Sequence, residues 1–99
     1  MRLVELGTFE NNGEVVVYKF FSKTCNPCKM VALMLEQAQG LVDDSVVVVS
    51  VDVEEHPDVA GEHGVFSVPT LVFTKQNKEY HRQNGFVPKE KFAELVKGE

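Results

Sequence analysis

Two cysteines stand three residues apart in the segment Cys25-Asn26-Pro27-Cys28-Lys29, and they are the only thiols in the chain. A thiolate rather than a thiol attacks a disulfide, so a cysteine that reacts at neutral pH needs a lowered pKa. Cys25 precedes a predicted helix, where unpaired backbone N–H groups and the helix dipole favour negative charge. Cys28 lies one turn into that helix and is more shielded. The pair predicts reversible thiol–disulfide exchange, with Cys25 attacking and Cys28 resolving.

Two other interpretations of the cysteine pair were weighed. The pair supplies half of a zinc site, but such a site needs four ligands. The three histidines, His56, His63 and His81, do not form a ligand-spaced pair. Two unrelated core cysteines are the other alternative, since free cysteine is often buried. The setting of the pair, between a buried strand and a helix with an early proline, favours redox chemistry, and we expect no metal and no cofactor.

Hydrophobic patterning predicts the two elements that position the cysteines. Glu14–Phe21 is nearly continuous in apolar residues, which is typical of a strand buried on both faces. Pro27 suits the first turn of a helix, where its missing N–H has no effect. The apolar residues of that helix recur at i, i+3, i+4 and i+7, and Gly40 suits its end. These repeating residues are Val31, Met34, Leu35 and Ala38.

The remaining segments complete a layered α/β pattern. Further strands are predicted at Arg2–Leu6, Val46–Val53, Thr70–Phe73 and Glu79–Gln83, with turns at Asn11–Gly13 and Gln76–Lys78. Further helices are predicted at Pro57–His63 and after Pro88, the last with Phe92, Leu95 and Val96 on its apolar face. The order β-β-α-β-α-β-β-α predicts one α/β domain over residues 1–99, with a mixed sheet.

Composition and charge limit the partners and the compartment. Hydrophobic residues make up 43% of the chain, and its net charge of −5 argues against binding a phosphate backbone. The acid at Glu5 makes Met1–Gly7 unlike a signal peptide, and Val46–Val53 is too short to span a bilayer. We therefore expect a cytoplasmic, monomeric protein without nucleic-acid or membrane partners. In that compartment thiols are kept reduced, so a lone cysteine pair is catalytic or metal-binding more often than structural.

Several motifs together resemble the thioredoxin family over most of the chain. They are Phe20-Phe21, Cys25-x-Pro27-Cys28-Lys29-Met30, Val51-Asp52-Val53, Val68-Pro69-Thr70 and Gly85, in the family's order and near its spacing. The resemblance implies a thioredoxin-like fold, with a central mixed β-sheet flanked by helices on both faces. It also implies an electron carrier that reduces protein disulfides, with thioredoxin reductase as electron source. Ribonucleotide reductase or peroxiredoxins would be typical targets.

The resemblance also implies a substrate groove beside the cysteines. In such proteins the proline before threonine is cis, lies against the active-site disulfide, and has flanking backbone that pairs with an extended substrate. That role would fall to Val68 and Pro69. The neighbouring substrate-binding surface would comprise Thr24, Asn26, Pro27, Phe66, Ser67 and Gly85.

The chain departs from the family's pattern at several positions. Thr24 replaces the usual Trp, Asn26 replaces Gly, and Leu33 replaces a kinking Pro. The segment before Cys25 is short, so the family's first helix is expected to be trimmed. Lys19 stands where a buried Asp commonly assists proton movement. Its ammonium either reaches water beyond a packed aliphatic stem, or lies near the thiols and lowers their pKa.

Two alternative functions stay open. A glutaredoxin-like protein would perform the same chemistry with glutathione as reductant, although Pro27 and the lack of an evident basic pocket disfavour it. A binding module with this fold would hold a partner in its groove without significant turnover, and the replacements at Thr24 and Lys19 keep this alternative open.

Overall fold

A computed structural model of the chain describes residues 1–7 and 15–97. The strands are β1 (Arg2–Glu5), β2 (Val15–Phe21), β3 (Val47–Asp52), β4 (Thr70–Lys75) and β5 (Lys78–Asn84). The helices are α1 (Asn26–Ala38), α2 (Pro57–Glu62) and α3 (Lys89–Leu95), with a short 3₁₀ turn at Gln39–Leu41. The predicted order is confirmed, and most strand ends differ from the prediction by one or two residues. The predicted turn at Asn11–Gly13 and the residue Glu14 lie outside the described residues, as do residues 8–14 of the segment in which the family's first helix is expected to be trimmed or missing.

The sheet is mixed, with the order β1-β3-β2-β4-β5. Strand β3 runs parallel to both β1 and β2, whereas β4 runs antiparallel to β2 and to β5. The two valine-rich strands, β2 and β3, are therefore interior strands. A strand covered on both faces needs apolar residues at successive positions, which explains the continuous valine runs.

Helices cover both faces of the sheet, as predicted. Val17, Val48 and Phe73 point into the core under α1 and α3. Val16 and Val72, on the opposite side of the same strands, pack in the core that includes Ala60 of α2. Successive side chains alternate between these two cores because a strand has a period of two residues. The single-domain boundary at residues 1–99 stays a prediction.

Two local features refine the predicted boundaries. Gln76 and Asn77 have φ values of 54° and 67°, so the turn between β4 and β5 is left-handed and Lys78 already belongs to β5. Gly40 is predicted to end α1, and the helix does end just before it, at Ala38 with Gln39 as its C-cap. The chain leaves α-helical geometry after Ala38 and tightens into the 3₁₀ turn, as helix ends often do. None of the described helices is both long and apolar enough to cross a bilayer.

Candidate active site

Cys25 forms the N-cap of helix α1. Its backbone is extended, with φ −88° and ψ 107°, and its sulfur accepts a hydrogen bond from the backbone N–H of Cys28 at 3.1 Å. Pro27 lies in the first turn, as predicted, and that turn contains no acidic residue. The positive end of the helix dipole is therefore not neutralised locally, and a thiolate at Cys25 would occupy a favourable site.

The two sulfurs differ in access. Cys25 and Cys28 are joined by a disulfide, with their Cα atoms 5.2 Å apart. Cys25 is partly exposed, whereas Cys28 is only 5% exposed. The structure thus shows the oxidised form of the cysteine pair. The Cys25 side chain is partly open to solvent, and the Cys28 side chain is buried.

The sheet topology brings the Val68–Pro69 segment to the same end of the sheet as the cysteine loop. Phe20, near the end of β2, is paired with Thr70, and Thr70 is paired with Asn84 at the end of β5. The cysteine loop follows the first of these strands, Pro69 precedes the second, and Gly85 follows the third. The Gly85 N–H donates to the Pro69 carbonyl at 2.9 Å. The Val68–Pro69 bond is cis, which confirms that prediction.

The backbone before Pro69 has unused hydrogen-bonding groups. Within residues 1–7 and 15–97, neither the N–H nor the C=O of Val68 has a hydrogen-bond partner. The adjacent Ser67 carbonyl accepts from the Thr70 hydroxyl at 2.8 Å, which anchors the loop. An extended chain could therefore pair with Val68 in the manner of an added strand.

An apolar cavity of about 360 Å³ lies beside this loop. The predicted residues Phe66, Ser67 and Val68 line it, and Phe66 is 93% exposed. The sequence interpretation missed the rest of the lining, namely Val53, Pro57, Ala60, Gly61 and Val65. Val53 directly follows β3, and the others come from α2 and the loop after it; nothing in their local pattern distinguishes them from core residues. The remaining predicted residues, Thr24, Asn26 and Pro27, are exposed around Cys25.

A second apolar surface near the site was also missed. Met30, Leu33 and Phe86 are 55%, 49% and 49% exposed, and all three line a groove between α1 and the beginning of α3. Met30 and Leu33 are three residues apart on the helix, a spacing that places them on one face. That helical spacing was a usable sequence signal, but nothing in the sequence indicated that Phe86 lies next to them.

Lys19 lies on the α1 side of β2 and is half-buried. It lines a cavity of about 210 Å³ together with Cys28, Phe21, Lys23 and Lys29. Its ammonium nitrogen is 5.1 Å from the centroid of the Phe21 ring. Burial lowers the pKa of Lys19, and the carboxylates of Glu5 and Glu36 counteract that effect.

Lys23 and Asp52 form a polar group at the rim of the site. Lys23 is exposed and lies 3.3 Å from a Glu55 carboxylate oxygen and 4.0 Å from an Asp52 oxygen. The hydrogen bond to Glu55 raises the pKa of Lys23. Asp52 is buried and accepts a hydrogen bond from the Glu54 N–H at 2.9 Å. Lys23 is therefore already engaged in ion pairs with two carboxylates of this chain.

Two of the histidines, His63 and His81, pack against aromatic rings. The His63 ring lies 4.8 Å from the Tyr18 ring, and the His81 ring lies 5.5 Å from the Phe73 ring. Across the described ranges, no three His, Cys, Asp or Glu side chains are grouped so that they could hold a metal ion.

The fold and the site together define a class. A disulfide at the start of a helix, beside a cis-proline loop on a mixed sheet with helices on both faces, is the site of a thiol–disulfide oxidoreductase. Comparison with known proteins agrees, because the sequence profile of the thioredoxin family matches residues 7–98. The thioredoxin of Bacillus subtilis is 39% identical over 87 residues, which cover 88% of this chain and 84% of that protein. The chain belongs to the thioredoxin family, whose members act on disulfide substrates and have thioredoxin reductase as a general kind of partner.

Solved structures support the same assignment. A thioredoxin from Nicotiana alata is 31% identical and has a TM-score of 0.76, covering 87% of this chain and 73% of that one. Thioredoxin-2, described as a component of malaria parasite protein secretion machinery, has a TM-score of 0.84 over 96% of this chain and 92% of its own. At 23% identity, that second likeness shows the fold alone.

Proposed function

We propose that this oxidoreductase works as an electron donor that reduces disulfides in protein substrates, with Cys25 as the attacking thiol and Cys28 as the resolving thiol. The observation that carries the assignment is the asymmetry of the pair. Cys25 combines partial exposure with the N-cap position, whereas Cys28 is buried one turn into α1. Only the first sulfur is accessible to a protein disulfide, and only the second is shielded from competing thiols.

The reaction takes place in two balanced steps. The Cys25 thiolate attacks one sulfur of the target disulfide, which forms a mixed disulfide and releases the other target sulfur as a thiolate. Cys28 then loses its proton and attacks the Cys25 sulfur, which forms the intramolecular disulfide and releases the second target thiolate. Water protonates the released thiolates. The target gains two electrons, and an external reductant must return two electrons to the Cys25–Cys28 disulfide.

The substrate groove follows from the unpaired backbone at Val68. An extended target segment would hydrogen-bond to the Val68 N–H and C=O, which lie next to Pro69 at the end of the sheet that carries the cysteine loop. Main-chain pairing of this kind supplies affinity with little demand on sequence. The flanking substrate-binding surface comprises Thr24, Asn26, Pro27, Phe66, Ser67 and Gly85. Phe66 and the adjoining apolar cavity would take an apolar side chain of the target.

Insulin reduction by dithiothreitol tests the function. Wild-type protein is expected to accelerate the precipitation of reduced insulin, and Cys25→Ser is expected to abolish the acceleration. Cys28→Ser serves as the matched variant, because it keeps the nucleophile and is expected to accumulate as a mixed disulfide with the target. Retained turnover in Cys25→Ser, or trapping by Cys25→Ser rather than Cys28→Ser, would contradict the assigned roles.

The proposal also includes the compartment, the electron source and the class of target. A dithiol that is regenerated after each turnover suits a reducing compartment, so we place the protein in the cytoplasm, with thioredoxin reductase as reductant. Targets of the ribonucleotide reductase or peroxiredoxin type fit this reaction. Reduction of the purified disulfide form by NADPH and a bacterial thioredoxin reductase, followed by absorbance at 340 nm, tests the electron source. The monomeric state stays a prediction.

One observation favours the glutathione-dependent alternative. Three lysines, Lys19, Lys23 and Lys29, line the cavity beside Cys28, although the sequence showed no evident basic pocket. Because Lys23 already forms ion pairs with Asp52 and Glu55, the cavity is less suited to binding a carboxylate of glutathione. Recycling by glutathione and glutathione reductase, at a rate matching that with thioredoxin reductase, would support the alternative.

A further inference from the structure

Lys19 and Cys28 share one cavity on the inner side of α1. Both line the space of about 210 Å³ between the helix and the end of β2, and Cys28 is its only thiol in the part of the chain that the structure describes. Lys19 therefore lines the same space as Cys28, whereas Cys25 does not line it. A charge near a buried group interacts with it more strongly than a charge across bulk water.

Burial lowers the pKa of Lys19, and neighbouring carboxylates and a ring face act against that effect. Lys19 pairs with Ser50 across β2 and β3, and Ser50 pairs in turn with Glu5 on β1. Glu5 and Glu36 act in favour of the charged form, and the Phe21 ring lies 5.1 Å from the ammonium nitrogen. Carboxylates and a ring face offset much of the penalty for partly burying a cation.

We propose that Lys19 stabilises the Cys28 thiolate and thereby sets the rate and the pH dependence of the resolving step. The proposal rests on the assignment of Cys28 as the resolving thiol. Cys28 is only 5% exposed, and burial disfavours a thiolate, so a nearby positive charge would favour its ionisation. Lys19 is a positioning residue here, since it acts through its field.

Lys19 neither gives nor takes a proton in the resolving step. The Cys28 thiol releases its proton to water, and the resulting thiolate attacks the Cys25 sulfur of the mixed disulfide. The bond between Cys25 and the target sulfur breaks, the Cys25–Cys28 bond forms, and the target leaves as a thiolate. Lys19 remains an ammonium throughout. The other charged groups that line this cavity or act on these lysines are Lys23, Lys29, Glu5, Glu36, Asp52, Glu54 and Glu55.

The proposal predicts a pH profile that a purely structural role would not produce. Suppose that Lys19→Met lowers the ratio of Cys28 thiolate to thiol about tenfold. At pH values below the pKa of Cys28, the variant then has about ten times less thiolate than the wild type. The remaining thiolate is intrinsically more nucleophilic, with a Brønsted coefficient of about 0.4–0.5. Resolution in the variant should therefore be about threefold slower at acidic pH and about threefold faster at alkaline pH, so the two profiles cross.

Stopped-flow mixing of reduced protein with excess dithiodipyridine measures this step. Attack by Cys25 releases one pyridinethione at a rate that depends on probe concentration. Resolution by Cys28 releases a second one at a rate that does not. Titration of Cys28 thiolate absorbance in a Cys25→Ser background gives the ionisation directly. Lys19→Arg keeps the charge and should restore the wild-type profile, while Lys75→Met, an exposed lysine at the end of β4, is the matched control.

Crossing profiles for Lys19→Met with rescue by Lys19→Arg would support the proposal. Superimposable profiles, or an arginine variant that behaves like methionine, would overturn it. A wild-type protein that releases no second pyridinethione would instead remove the assigned role of Cys28, and with it the proposed function.

Discussion

The N-cap position of Cys25 has a measurable consequence for its reactivity. Replacing Cys28 by Ser leaves Cys25 as the only thiol and keeps the backbone N–H that donates to its sulfur at 3.1 Å. A hydrogen bond to a charged acceptor contributes about 1.5–3 kcal/mol, and a helix N-terminus contributes about 0.3–1 kcal/mol to a nearby anion. Because Cys25 is partly exposed, we take about 1.5 kcal/mol in total, slightly less than the sum of the two lowest values. At pH values well below the pKa of Cys25, the fraction of Cys25 present as thiolate should therefore be about ten times larger in the folded protein than in the unfolded chain.

Alkylation by iodoacetamide as a function of pH measures this difference. The rate for folded Cys28→Ser should reach half its maximum at lower pH than the rate for the same variant in concentrated urea, where α1 and its N–H groups are lost. Cys25→Ser is the matched control, and its buried Cys28 should react more slowly at every pH. Equal half-maximal pH values in the folded and unfolded states would refute the reasoning. Faster alkylation of Cys28 than of Cys25 would reverse the roles of the two thiols.

Three further outcomes follow from packing and exposure. Phe92 is fully buried with its ring 5.8 Å from that of Phe73, so Phe92→Ala should lower the free energy of unfolding in urea by about 3–5 kcal/mol. Burial raises the pKa of Tyr80 above 10.0, and its hydroxyl donates to the Leu95 carbonyl at 2.7 Å. This contribution to stability is complete below the unfolded pKa and is lost as pH rises through the folded one. Tyr80→Phe should therefore be destabilised by about 1 kcal/mol at neutral pH and should show a weaker alkaline loss of stability. Phe66→Ser removes a side chain that is 93% exposed, so we expect an unchanged melting temperature and a raised KM for a protein disulfide; an unchanged KM would contradict the proposed groove.

The elements and the chemistry of the pair were predictable because they depend on local pattern. The valine-rich segments indicated interior strands, and their exposure in the fold is close to zero. Pro27 marked the first turn of α1, which places Cys25 at the helix terminus whatever the rest of the chain does. The geometry at the end of α1 was less predictable, because Gly40 indicated where the helix stops but not that the chain continues into a 3₁₀ turn. The last α-helical turn and the 3₁₀ turn at Gln39–Leu41 have similar local geometry, so the local sequence pattern does not decide between them.

By itself, the sequence determined the layered α/β architecture and the position of the reactive pair at the start of a helix. Only the tertiary structure decided which distant side chains share a space with that pair. Lys19 precedes Cys28 by nine residues, and nothing in that spacing tells whether its ammonium lies in water or in the cavity beside the sulfur. The unpaired backbone of Val68 and the apolar cavity at Phe66 likewise depend on how α2 and the loop after it settle against the sheet. Periodicity reports which face of an element is buried, whereas strand pairing between distant segments decides what that face meets.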